Sequence, residues 1–130
     1  MRISRGRAGG ESQERGPTFT GQVWADPLLG AADGVLVNHV FFEPGSRTNW
    51  HRHEVAQVLY VTMGLGWVQT RDGQGAALTP GDTVHLRAGE EHWHGAGPDT
   101  FVSHLAISIG ETDWLDPVSA SDYAGAFPPA

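Results

Sequence analysis

The chain contains no cysteine, which excludes disulfides, thiolate metal sites and a cysteine nucleophile, so any metal must be bound through nitrogen and oxygen. Positive charge is also scarce, with Lys and Arg numbering 8 against 15 Asp and Glu for a formal net charge of -7. Nucleic acid and an anionic membrane face both require a positive surface, so neither is expected as a partner. No uninterrupted apolar run approaches the roughly 20 residues that span a bilayer. The arginine-dotted start, residues 1–15, lacks the apolar core of a signal peptide, and a cytoplasmic protein is expected. Helical periodicity is nearly absent: residues 118–123 read as a single turn capped by Ser119 or Ser121. There is no internal repeat.

What is present fits one domain, because 130 residues can bury one core and are too few for two. Residues 1–16, rich in Gly, Arg, Ser and Glu without periodicity, are expected to lie loose on the surface, with the domain spanning 17–130. Short apolar or alternating runs then recur at residues 20–24, 35–42, 57–62, 66–70, 83–86 and 101–109. They are separated by Glu43-Pro44-Gly45, Met63-Gly64, Asp72-Gly73, Pro80-Gly81-Asp82 and Ala88-Gly89, each of which fixes φ or tolerates a positive value. Many short strands with regular turns predict an all-β sandwich or barrel.

Six of the seven histidines fall between His51 and His104. His51 and His53 are two residues apart, so on an extended strand both rings project from one face about 6 to 7 Å apart, a span that two imidazoles can close on one ion. Gln57 keeps that parity at the head of an apolar strand, where a buried amide needs a partner and a metal ion or the backbone would serve. His92 follows the Gly89 turn and brings an imidazole from a strand distant in sequence. Val102, His104, Ala106 and Ser108 share one parity on an apolar strand and are expected to face inward.

The run Gly45-x5-His51-x-His53-x3-Gln57-x6-Gly64 resembles the first motif of the cupin family. Gly81, Asp82, Gly89 and His92 match the second, with Arg87 where proline is usual. The resemblance covers residues 35–109. It implies an all-β double-stranded β-helix, a jelly-roll barrel with a divalent metal held inside by His51, His53, Gln57 and His92, and packing as a homodimer or homotetramer. The apolar-aromatic residues 19–29 look suited to adding an edge strand to a neighbouring subunit. Glutamate is commoner than Gln57 in the family; the neutral amide makes a bound ion a stronger Lewis acid and loosens its hold.

A narrower resemblance, carried by His-x-His-x3-Gln together with Phe42-Glu43-Pro44-Gly45, Gly64-x-Gly66-Trp67, Glu91-His92-Trp93-His94-Gly95 and His104-Leu105-Ala106-Ile107, is to small bacterial cupins that act as manganese-dependent (R)-selective hydroxynitrile lyases. It implies His104 as general base and Asn38, Val40 and Ser108 in the pocket wall. Manganese is the implied ion, with Fe, Zn, Co or Ni also compatible with nitrogen and oxygen donors. The first reading is therefore a lyase acting on a small-molecule cyanohydrin. An iron-dependent dioxygenase cleaving a carbon–carbon bond and a noncatalytic binding module are its rivals. His94 is left out of the metal set as a rim or supporting residue. His39 and His85 are read as surface or packing residues, and Trp50, Trp67 and Trp93 as barrel packing and subunit contact.

Overall fold

Alternation of buried apolar residues with outward ones makes the strands of the barrel, and it is clearest in the segment that ends the core, where Val102, His104, Ala106 and Ser108 are all buried. The computed structural model describes residues 1–7 and 9–128; Ala8, inside the expected loose segment, and the last two residues of the expected domain lie outside this description. In chain order the strands are β1 (Gln13–Glu14), β2 (Phe19–Thr20), β3 (Val23–Ala32), β4 (Val35–Phe42), β5 (Arg47–Thr48), β6 (His51–His53) and β7 (Ala56–Gly64). There follow β8 (Gly66–Thr70), β9 (Gly75–Leu78), β10 (Thr83–Arg87), β11 (His92–Ala96), β12 (Val102–Ile109), β13 (Thr112–Trp114) and the helix α1 (Ala120–Ala126). No helix among the described residues is long and apolar enough to cross a membrane.

Two sheets of antiparallel strands face each other. One has the order β1-β3-β4-β12-β7-β10; in the other β13-β6-β11-β5-β2 form the path, with β8 paired to β11 and β9 to β8. This is the double-stranded β-helix. The core between the sheets is built on Val23, Phe42, Leu59, Val61, Leu86 and Val102. A second cluster of Trp50, Trp93, Val118 and Tyr123 covers the back of the second sheet under α1, so Trp50 and Trp93 pack outside the barrel rather than filling it. Tyr123 Oη donates to the Ala96 carbonyl at 2.7 Å, and Arg47 Nη2 donates to the Val118 carbonyl at 2.8 Å. The helix is capped by Ser119, whose Oγ accepts from the Asp122 amide.

Two sequence expectations change. Residues 20–24 are not one strand, because Gly21, at φ +87°, breaks the chain between β2 and β3. In the segment 19–29 Phe19 pairs with Thr48, β3 pairs with β4, and β1 meets the other edge of β3 at Trp24 and Ala25. The loose start is shorter than residues 1–16, since Gln13 and Glu14 pair with Ala25 and Trp24, and the Arg15 amide continues the ladder to the Val23 carbonyl at 2.8 Å. The hairpin between β3 and β4 turns on Asp33 and Gly34, both at positive φ (52° and 78°), the pattern that a two-residue hairpin of matching twist requires.

Gly64 closes β7 at φ +81°, and a Cβ there would land on the Phe101 carbonyl. Backbone strain and a clash with backbone add, so Gly64→Ala is expected to lower stability by about 3 kcal/mol or more. Gly45 has φ +82° but open space around its Cβ position, so Gly45→Ala should cost only the strain, about 1 kcal/mol. Urea unfolding of the two variants checks the difference, and equal midpoints would refute the role given to the Phe101 carbonyl.

Candidate metal centre

The chain at β6 is extended with Arg52 outward and His51 and His53 both buried. β11 runs beside it with His92 directly opposite His51. These rings lie close, with centroids 4.1 Å apart for His51 and His92, 5.1 Å for His51 and His53, and 5.6 Å for His53 and His92. One ligand nitrogen from each of the three lies within 4.8 Å of the others, so the group could hold a divalent ion. The amide of Gln57 approaches from the opposite sheet, where Gln57 pairs across from Ser108. Its Oε1 is 3.0 Å from His92 Nε2, and its Nε2 donates to Ser108 Oγ at 3.2 Å.

The protons on these rings can be assigned from their partners. His51 Nδ1 and His92 Nδ1 each lie 2.9 Å from a backbone carbonyl, of Asn49 and Glu90 respectively. A carbonyl only accepts, so both Nδ1 atoms must donate. His53 Nδ1 lies 3.1 Å from the Thr112 hydroxyl, while its Nε2 is buried without a partner. Burial keeps all three rings neutral: it holds His92 down to about 4, holds His53 below the ordinary value, and with the neighbouring His92 pushes His51 well below it. A neutral imidazole has one N–H, so Nε2 of His51 and of His92 is left with a bare lone pair. His92 Nε2 then faces the Gln57 carbonyl oxygen at 3.0 Å with no proton between two acceptors. A cation resolves that opposition, and the Nδ1 contacts supply the outer support that fixes a metal-binding tautomer. The donor set fits a divalent ion.

A cavity of about 360 Å³ opens over this group. Asn38, Val40, Ser108, His51, His53 and Gln57 line it. His94 lines it as well, whereas His104 does not. His104 faces inward as expected, but it stands behind His94, with His104 Nε2 3.1 Å from His94 Nδ1. Burial lowers both: His104 to about 4, and His94, also beside His104, well below the ordinary value. His94 was legible as a same-face partner of His92 two residues earlier. The wall also contains Arg15, Pro17, Phe19, Thr112 and Trp114, which lie outside the motif-bearing stretch and carry no motif of their own. Of the other histidines, His39 bonds to Thr62 Oγ1 at 2.9 Å on the outer side of the first sheet, and His85 is exposed.

A family model described as a cupin domain matches residues 38–107. An (R)-mandelonitrile lyase from Granulicella tundricola is 44% identical over 125 residues, covering 90% of this chain and 95% of that protein. Among solved structures, a cupin-like protein from Thermotoga maritima is 37% identical with a TM-score of 0.83, covering 90% of this chain and 95% of the other. The polyketide cyclase RemF from Streptomyces resistomycificus shares the fold at 22% identity and a TM-score of 0.74, with 95% of this chain and 91% of that one covered.

Proposed function

The chain belongs to the cupin domain family, and from that premise we propose that it is a metal-dependent lyase that cleaves or forms a small cyanohydrin. The observation that carries the reading is the convergence of the His51, His53 and His92 nitrogens with the Gln57 oxygen at a cavity that His94, backed by His104, also lines. The 44% identical (R)-mandelonitrile lyase supports the reaction class. His51, His53, Gln57 and His92 would hold the ion, with manganese the first candidate. When bound, such an ion supplies Lewis acidity that lowers the pKa of a substrate hydroxyl.

The chain's own residues handle the proton. His94 and His104 are neutral and share one hydrogen bond, leaving His94 Nε2 and His104 Nδ1 buried without partners. With His94 Nδ1 donating to His104, His94 Nε2 is a base at the cavity wall and takes the substrate hydroxyl proton. The oxygen lone pair then forms the aldehyde carbonyl as the carbon–carbon bond breaks. Its electron pair leaves with cyanide, which receives the proton from His94 and departs as hydrogen cyanide. In this reading His104, which does not line the cavity, positions and polarises His94, and His94 takes the role of base that the family resemblance gives to His104. A cavity of about 360 Å³ is at the small end of ligand sites, in keeping with a substrate of this size.

Aldehyde release from (R)-mandelonitrile under nitrogen, by protein loaded in turn with manganese, iron, cobalt and zinc, tests the reading. Turnover is expected with at least one ion and none after chelation. His94→Ala is expected to lower kcat by about hundredfold or more with metal content unchanged. His104→Ala should fall less and shift the pH profile. A requirement for oxygen and ferrous iron would replace the lyase with a dioxygenase, and wild-type kcat in both variants would remove the histidine pair from the mechanism.

A further inference from the structure

We propose that Arg15 makes this cavity selective for ligands that carry a carboxylate, which narrows the substrate class and rests on the cavity being the catalytic site. Arg15 belongs to the stretch ahead of the domain, yet its backbone is fixed. Its amide donates to the Val23 carbonyl at 2.8 Å, and the chain just beyond is tied down by Asn49 N to Thr18 O at 2.8 Å and by the pairing of Phe19 with Thr48. Phe19 in turn packs on Trp114 and Phe42, with ring centroids 5.6 and 6.2 Å away. The strap from Arg15 to Phe19 is thus part of the cavity wall.

Arg15 is half-buried and lines the cavity, and among the described residues its side chain has neither an ion pair nor a hydrogen bond. Arg7, Arg47, Arg52 and Arg71 each have such partners. No aspartate or glutamate lines the cavity. None of the four residues that would ligate an ion is a carboxylate. The wall therefore carries one fixed positive charge with nothing to balance it, and a bound dication would add to the excess. A half-buried guanidinium is a planar fork of donors that matches a carboxylate in two bonds. In a chain of net charge -7, a cation left unpaired beside a cavity free of carboxylates is a place for the ligand's own anion.

The test is titration calorimetry at low ionic strength, where screening is weakest, using mandelate and mandelamide as probes on full-length protein, metal-free and zinc-loaded. The two probes share size and hydroxyl and differ in charge. Wild type is expected to bind mandelate at least about tenfold tighter than mandelamide, the scale of a charge-assisted hydrogen bond. In the metal-free protein Arg15→Gln should bring the ratio close to one, with mandelamide affinity and the zinc content of the loaded protein preserved, and Arg15→Lys should restore part of it. A wild-type ratio near one, binding of neither probe, or a ratio that Arg15→Gln leaves intact overturns the proposal. Mandelonitrile cleavage by the same samples separates it from the lyase reading. Cleavage without carboxylate preference removes the role of Arg15 alone, and preference without cleavage removes the lyase alone.

Discussion

His92→Ala is expected to abolish stoichiometric metal binding, with affinity for zinc or manganese falling by more than about hundredfold. Loss of a residue that merely supports a ligand costs about 10- to 100-fold, and His92 is the residue on which two supports converge. Its Nδ1 is held by the Glu90 carbonyl and its Nε2 confronts Gln57 Oε1. Without that ring, His51, His53 and the weakly donating amide of Gln57 remain. The backbone of β11 keeps its pairing with β8 from His92 to Ala96, so circular dichroism should be unchanged while elemental analysis reports less than a tenth of the wild-type metal. A His92→Ala protein that retains its metal would place the ion elsewhere.

The second large effect is on stability in acid. Burial holds His92 and His104 down to about 4 from 6.5, and His51 and His94 well below 6.5. As pH falls below about 6.5, the unfolded chain takes up protons that the folded chain refuses, so stability is full above that pH and drains away toward pH 4. A difference from 6.5 to about 4 is worth about 3 kcal/mol for each of His92 and His104 at the acid end of that window. With His51 and His94 added, the loss is comparable with the whole stability of a typical domain, about 5 to 15 kcal/mol. The metal-free protein is therefore expected to show a constant urea midpoint from pH 8 to 7 and to unfold without denaturant before pH 4. Bound metal competes with the same protons and should move the acid transition lower. A urea midpoint unchanged from pH 8 to 5 in the metal-free protein would contradict the burial of these rings.

The fold was legible where one face of a strand is dry. β4 and β8 have the bounds that alternation predicts, and the inward parity of β12 holds from Val102 to Ser108. Strands with weak signals were missed. β9, Gly-Ala-Ala-Leu, has three exposed residues of four and no side-chain pattern to read, and β5 is two residues long. The Asp33-Gly34 hairpin carries its turn signal in the sequence. In the site, spacing brought His51, His53 and His92 together because parity and glycine turns translate directly into direction. For His104, parity gives the side of a strand and not the depth. It points inward, but Phe42, with its ring centroid 5.3 Å away, and His94 stand around it. Arg15 was invisible because nothing local says that a polar stretch well ahead of the first motif glycine, Gly45, will be tied into a sheet.

All four proposed donors lie between His51 and His92, whereas part of the cavity's wall comes from chain before β3 and after β12, in Arg15, Phe19, Thr112 and Trp114. The proposed ion site and part of the cavity wall therefore come from separate stretches of the polypeptide. Changes in those end segments would reshape the cavity wall while leaving the four proposed donors in place.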